Sequence, residues 1–110
     1  MVGILLDQNA TRAEGVFVPF FGVPACTSKG LAVLALRTGA PVLPVVLRRD
    51  PDGQGHCMDV GAPIPPPPDG DVATYTAAFN QVLEATIRRA PEQWLWMHAR
   101  WRTQPKEAAP

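Results

Sequence analysis

His56 and His98 are the side chains of this sequence whose ordinary titration suits a general base near neutral pH. Neither has an acidic residue five positions later. His56 lies beside Cys57 and near Asp59, but strand alternation sends His56 and Cys57 to opposite faces, which argues against a nucleophile and base pair. His56 therefore reads as an exposed edge residue. His98 stands among tryptophans and arginines, where binding a polar head group and ordinary packing are both open. Asp7 closes an apolar run, Val2 to Leu6, at the place where an open α/β sheet displays a functional carboxylate; an Asx turn or a helix cap is the alternative. Arg12, in the loop that follows, can meet a phosphate or pair with Asp7. Arg48 and Arg49 occupy a second strand end. Were both loops to open on one rim, Asp7, Arg12, Arg48 and Arg49 would converge as an anion-binding edge beside an aromatic wall of Phe17, Phe20 and Phe21. No metal site, P-loop or dinucleotide fingerprint is present, so no cofactor is expected.

The segment from Pro91 to Pro105 interleaves the chain's three tryptophans, Trp94, Trp96 and Trp101, with His98, Arg100 and Arg102. Indoles favour boundaries between apolar and wet surroundings, and guanidinium offers a planar fork to phosphate, so this pattern suits a polar lipid or a membrane surface. The plainer alternative is that the tryptophans seal a core while the charges point outward. Between Arg88 and Lys106 five cations face only Glu92, a run that suits anionic lipid or substrate phosphates, or a solvated cationic face.

These residues need a scaffold, and 110 residues allow one modest domain. Ten acidic and ten basic side chains cancel, which argues against a nucleic-acid binder of the strongly basic kind. Cys26 and Cys57 lack metal-ligand spacing and read as small buried hydrophobes in a reducing compartment. No apolar run is long enough to span a bilayer, so membrane contact by these residues would be peripheral. Val2 to Leu6 reads as a buried strand of a parallel sheet, which needs neighbours on both sides and suggests the C-terminal part of something larger.

Further along, Val16 to Pro24 is aromatic and apolar, but its prolines and glycines exclude an ordinary central strand and predict a wall or lip. Thr27 or Ser28 can cap a helix reaching about Thr38 and closed by Gly39; a strand is the alternative for so short a run. Val42 to Leu47 reads as a strand, with Pro44 implying an irregular or edge position, and completes a βαβ signal. Turn residues from Arg49 to Gly55 predict a hairpin with a return strand, His56 to Val60. Ala62 to Asp69 holds five prolines and reads as a stiff polyproline connector rather than a ligand for a proline-binding domain. From Asp71 to Arg89 the apolar rhythm is that of one helix face, ended or kinked by Pro91.

With these segments in order, the sequence resembles the late acyltransferases of lipid A biosynthesis, within the lysophospholipid and glycerol-phosphate acyltransferase superfamily. Asp7-Gln8 followed by Gly15 to Gly22 is similar to the family's third block, and Gly39 to Val45 to its fourth. Arg48 to Gly55 resembles the turn after that block, and Pro91 to His98 with Arg100-Trp101-Arg102 the closing signature. The resemblance implies an α/β fold, the C-terminal part of a mixed sheet flanked by helices, over residues 1–105, with 106–110 a disordered tail. It implies acyl transfer from acyl carrier protein to a sugar hydroxyl of a phosphorylated lipid A precursor, at the cytoplasmic face of the inner membrane. The family's H-x-x-x-x-D/E general base is missing from this sequence, as is the second block with its substrate-binding arginine. The resemblance places both before Met1 and implies that this part alone is inactive.

By the same resemblance, Phe17, Phe20 and Phe21 line the acyl slot, Arg48, Arg49, Arg100 and Arg102 meet phosphates or lipid, and Asp7 with Gln8 supports the catalytic histidine's loop. Asp7 and Arg12 would stand near the acid and the arginine of the superfamily's F-P-E-G-T-R block, although Gln8-Asn9 replaces the expected glycine. Two other readings compete: a membrane-binding or partner-binding module without chemistry, using the Trp/Arg tail and the polyproline connector, and a small-molecule binder on a flavodoxin-like sheet. The second lacks phosphate-binding glycines.

Overall fold

The computed structural model describes residues 2–6, 8–50, 52–94 and 99–105. Strand β1 (Gly15–Phe20) turns back through Phe21-Gly22 into β2 (Val23–Ser28). Both turn residues have left-handed φ, 52° at Phe21 and 76° at Gly22, the geometry that a two-residue type I′ hairpin requires. The turn places Pro19 directly opposite Pro24. Phe20↔Val23 flanks the turn as a hydrogen-bonded pair, so the next pair outward, Pro19↔Pro24, directs its backbone groups away from the partner strand. The prolines thus cost the ladder no donor, and the aromatic segment, expected to be a wall or lip and not an ordinary central strand, is a regular strand of a two-stranded pair.

Helix α1 (Gly30–Thr38) ends at Gly39, whose left-handed φ of 70° lets its N–H reach the Ala35 carbonyl. Its start differs from expectation: Thr27 lies buried within β2, and Lys29 is the N-cap, without a side-chain bond. Strand β3 (Val45–Arg49) pairs antiparallel with β4 (His56–Val60). Pro44 sits just before β3, which shifts the strand two or three residues beyond the expected Val42 to Leu47. Helix α2 (Val72–Arg89) is capped by Asp71, whose Oδ2 accepts from the Thr74 amide at 3.0 Å and the Thr74 hydroxyl at 2.7 Å. Pro91 stops it and opens a single 3₁₀ turn, Pro91–Gln93.

The described residues therefore form a small α/β unit with two separate antiparallel pairs rather than the expected mixed sheet with a βαβ crossover. The Val2 to Leu6 strand is not formed. Leu6 alone of that run is buried, while Val2 and Leu5 are 70% and 77% exposed. An apolar run becomes a central strand only where other strands supply its hydrogen bonds, and no described strand lies beside it.

Two clusters hold the unit together. In the first, Tyr75 and Phe79 of α2 pack on Ala32 and Ala35 of α1 with Leu6 and Val42. Small residues on α1 let the helices approach, and full burial of each large side chain contributes about 2 kcal/mol. The proline-rich connector is pinned there, with the Tyr75 hydroxyl donating to the Ile64 carbonyl at 2.8 Å and the Ile64 amide to Val42 at 2.9 Å. In the second cluster Phe20, Ala25 and Ile87 are buried under Trp94 and Trp101. Gly15 is fixed by close approach: a Cβ there would lie 2.5 Å from Cys26 Sγ.

Candidate functional site

The loop of residues 8–14 and the tail of residues 99–105 lie far apart in sequence and are clipped together in space. Asn9 Nδ2 donates to Thr103 Oγ1 at 2.9 Å, the Thr103 amide returns a bond to Asn9 Oδ1 at 3.1 Å, and Thr103 Oγ1 donates to the Ala10 carbonyl. Arg12 Nη2 donates to the Gln104 carbonyl. The Ala10 amide bonds the Cys26 carbonyl at 3.0 Å, so the loop lies along the outer edge of β2. Arg12 and Arg102 reach solvent at this junction, as does Gln8.

Arg100 is fully buried beneath it. Its Nη1 donates to the Cys26 carbonyl at 2.9 Å and its Nη2 to Thr27 Oγ1 at 2.6 Å, while the guanidinium carbon lies 5.2 Å from the Phe20 ring centroid. Thr27 Oγ1 also accepts from Asn80 Nδ2 at 3.2 Å and donates to the Ala25 carbonyl. The arginine expected to meet phosphate thus spends two arms of its fork on fixing the tail to β2. Burial pushes the Cys26 thiol up, with the positive charges of Arg100 and Arg12 pulling the other way.

The aromatic wall divides. Phe20 faces α2 and is fully buried, its ring 5.6 Å from Trp94 and 5.5 Å from Trp101. Alternation sends Phe17 to the opposite face of the hairpin. Phe21 stays half-buried at the turn, where Glu84 accepts its amide and Arg88 lies 4.9 Å from its ring centroid. Those contacts support a non-glycine residue in a left-handed conformation. Trp94 and Trp101 pack on the buried cluster as the core-sealing alternative expects, but Arg100 is buried with them, against its expectation that the charges point outward. Trp96 and His98 lie outside the described residues, as do Asp7 and residues 106–110.

The remaining cations are held elsewhere. Arg48 Nε meets Asp59 Oδ2 at 2.6 Å in an exposed pair, and this bond raises the arginine further above its usual range. Arg49 is exposed, and its backbone amide and carbonyl are both engaged by the Gln93 side chain, at 2.7 and 3.2 Å. The two cationic groups therefore attach to different parts of the tail, Arg12 at Gln104 and Arg49 at Gln93, with no described contact joining them. His56 is exposed and pairs with Arg49 across the hairpin.

Sequence reading missed Asn80, Thr27 and Glu84. A helical signal for the first existed: Thr76 and Asn80 are four residues apart on α2 and both are buried, a polar stripe beside the apolar one. Asn80 Oδ1 has no hydrogen-bond partner among the described residues.

Comparison with known proteins covers almost the whole chain. Residues 1–103 match the family model for bacterial lipid A biosynthesis acyltransferase. The chain is 44% identical over 101 residues to the lipid A biosynthesis lauroyltransferase of Escherichia coli, covering 91% of this chain and 33% of that protein. It is 35% identical over 102 residues to the E. coli lipid A biosynthesis palmitoleoyltransferase, covering 90% and 32%. A phosphatidylinositol mannoside acyltransferase of Mycolicibacterium smegmatis is 34% identical over 98 residues, covering 89% and 31%. The chain spans about a third of the length of these relatives.

Proposed function

Because this chain belongs to the bacterial lipid A biosynthesis acyltransferase family, we propose that it forms part of an enzyme that transfers a fatty acyl group to a lipid A precursor. The observation that carries the reading is the match over residues 1–103, with 44% identity to a lauroyltransferase. The donor in this reading is acyl carrier protein and the acceptor a phosphorylated disaccharide lipid, met at the cytoplasmic face of the inner membrane. Among the described residues no helix is long and apolar enough to cross a membrane.

In the reaction a sugar hydroxyl oxygen attacks the thioester carbonyl, a general base takes its proton, and the carrier thiolate leaves and is protonated. An H-x-x-x-x-D/E motif from the unmatched two thirds of the enzyme supplies the base, and Asp7 and Gln8 support its loop. Arg12 and Arg102 at the tail clip, with Arg48 and Arg49 at the hairpin end, attract the acceptor's phosphates. Arg49 is the strongest of these candidates: it is exposed, its backbone is fixed by Gln93, and among the described residues no carboxylate bonds it as Asp59 bonds Arg48. Phe17 and Phe21 keep exposed area for the acyl chain and His98 contacts the head group, while Phe20 and Arg100 act as positioning residues.

The test is a full-length chimera, the E. coli lauroyltransferase with its matched third replaced by this chain, assayed for lauroyl transfer from acyl carrier protein to a tetra-acylated precursor. Transfer is expected, and Arg49→Ala is expected to raise the apparent KM for the acceptor several-fold with kcat nearly unchanged. An inactive chimera that is folded and membrane-bound would end the reading.

A further inference from the structure

Four side-chain bonds tie the loop that carries Gln8 and Arg12 to the end of the tail. Three of them pass through Thr103. Its hydroxyl accepts from Asn9 Nδ2 at 2.9 Å and donates to the Ala10 carbonyl at 2.9 Å, while its amide donates to Asn9 Oδ1 at 3.1 Å. The two contacts to Asn9 agree on which way its carboxamide points, and the hydroxyl works as donor and acceptor at once.

The fourth bond belongs to Arg12. Its Nη2 donates to the carbonyl of Gln104, the residue after Thr103, and the Gln104 side chain in turn donates to the Trp101 carbonyl. A guanidinium has five N–H donors, so an exposed fork held by this bond still offers donors to a ligand. Arg102 is exposed on the same short segment, and among the described residues neither arginine is paired with a carboxylate. Beneath the clip, loop and tail meet again at one acceptor: the Cys26 carbonyl takes the Ala10 amide at 3.0 Å and Arg100 Nη1 at 2.9 Å.

A long arginine side chain gives up rotamer freedom when it binds phosphate, and a fork already held in place has given up part of it beforehand. The Gln104 carbonyl does the holding here, and the bonds of Thr103 place that carbonyl against the loop. We propose that Asn9 and Thr103 are positioning residues for the acceptor's phosphate: their clip keeps Arg12 pre-oriented at the seam that also carries Arg102, so that the two guanidiniums present their donors together. The inference rests on the acyltransferase reading and names what orients the phosphate contact within it.

The experiment compares the tetra-acylated precursor carrying its phosphates with the same lipid after phosphatase treatment, and measures both binding to the full-length chimera and transfer kinetics. Thr103→Val keeps the shape of the side chain and removes the hydroxyl. It should raise Kd and apparent KM for the phosphorylated acceptor about ten-fold, leave kcat within about two-fold, and leave KM for the phosphate-free acceptor unmoved. Asn9→Ala opens the clip from the loop side and should give the same pattern, and Thr103→Ser should restore the native KM. In an Arg12→Ala background Thr103→Val should add little, because it acts through that arginine. Thr38→Val, which removes a hydroxyl bonded within α1, should change neither constant. A fall in kcat to match, or a KM that rises alike for both acceptors, would mean that the clip only holds the fold, and overturns the proposal; full additivity with Arg12→Ala overturns it as well. A chimera whose binding of the phosphorylated lipid depends on the clip but which transfers nothing would end the enzymatic reading and leave the phosphate contact. An active chimera indifferent to the clip variants would do the reverse.

Discussion

The hairpins β1–β2 and β3–β4 are each two short strands, yet the chain encloses the first and leaves the second bare. The outer edge of β2 is occupied at Cys26, whose carbonyl accepts from the Ala10 amide and from Arg100. The outer edge of β1 meets α2, where Asn80 Nδ2 lies 3.4 Å from the Pro19 carbonyl. One face of that hairpin buries Phe20 and Ala25 against α2 and the tail. In β3–β4, among the described residues, only Arg49 at the end of its strand finds a partner across the outer edge of β3, and the apolar face remains in solvent. Isolated two-stranded hairpins are marginal in water, so a hairpin's stability is set by what covers it. The first hairpin has its cover within this chain; among the described residues the second leaves Val45, Leu47, Met58 and Val60 exposed.

The sharpest break in this comparison comes from truncating one large side chain in each hairpin. Phe20→Ala should cost about 3–5 kcal/mol in urea unfolding of the isolated chain, because it empties the space shared by Phe21, Trp94 and Trp101. Leu47→Ala should stay within about 0.5 kcal/mol, as its side chain is already hydrated. Equal costs would mean that both hairpins are covered in solution. Next comes Arg100→Met, which keeps the apolar stem and removes the fork. The Cys26 carbonyl and Thr27 hydroxyl lose a charged donor in the interior, and about 2–3 kcal/mol should go with it. Tryptophan emission should shift to the red as Trp101 becomes wetter. An unchanged spectrum and midpoint would show that the tail holds without its clip.

A smaller effect probes how tightly the covered hairpin is fitted. Gly15→Ala places a methyl 2.5 Å from Cys26 Sγ and 3.0 Å from the Thr11 carbonyl, so backbone has to move. Overpacking of this kind costs about 1–3 kcal/mol. Gly55→Ala in the open hairpin meets only the Asp50 carboxylate at 3.3 Å, the end of a side chain that can swing aside, and should be milder. Thermal midpoints of the two variants decide it, and the reverse order would contradict the difference in packing.

What the sequence allowed to be read divides along the same line. Helix α2, the return strand His56–Val60 and the Gly39 cap were legible because their signals are local: an apolar period, a turn cluster, a left-handed residue. The β1–β2 strands were obscured by Pro19 and Pro24, since only register shows that the missing donors face away from the ladder. The parallel strand expected from Val2 to Leu6 failed because apolarity tells that a segment wants cover but not where the cover comes from. At the candidate site the residue types were legible and their roles were not. Arg100 and Arg102 are nearly adjacent, and only the fold tells that one is buried against Cys26 and Thr27 while the other reaches solvent.

The mildest expected effect concerns α2, which both regions share: Asn80, Glu84 and Ile87 meet β1–β2, while Val82 and Thr86 line a groove beside β3. The Thr74 hydroxyl and amide hold the Asp71 carboxyl below the usual carboxylate range. A folded pKa lower than the unfolded one stabilises the protein above the unfolded value, and the contribution is lost as pH falls through the folded value. Asp71→Asn keeps a capping oxygen without the charge, so it should nearly match the native chain at the acid end and lie slightly below it at neutral pH. The midpoint difference between the two should open as pH rises through about 4. The loosened turn carries Tyr75 of the first cluster, so amide protection should fall around residues 72–76 and hold around Ile87 under Trp94 and Trp101. Protection lost evenly along the helix would mean that α2 opens as one unit, and that the covered hairpin is no more independent of the first cluster than the open one.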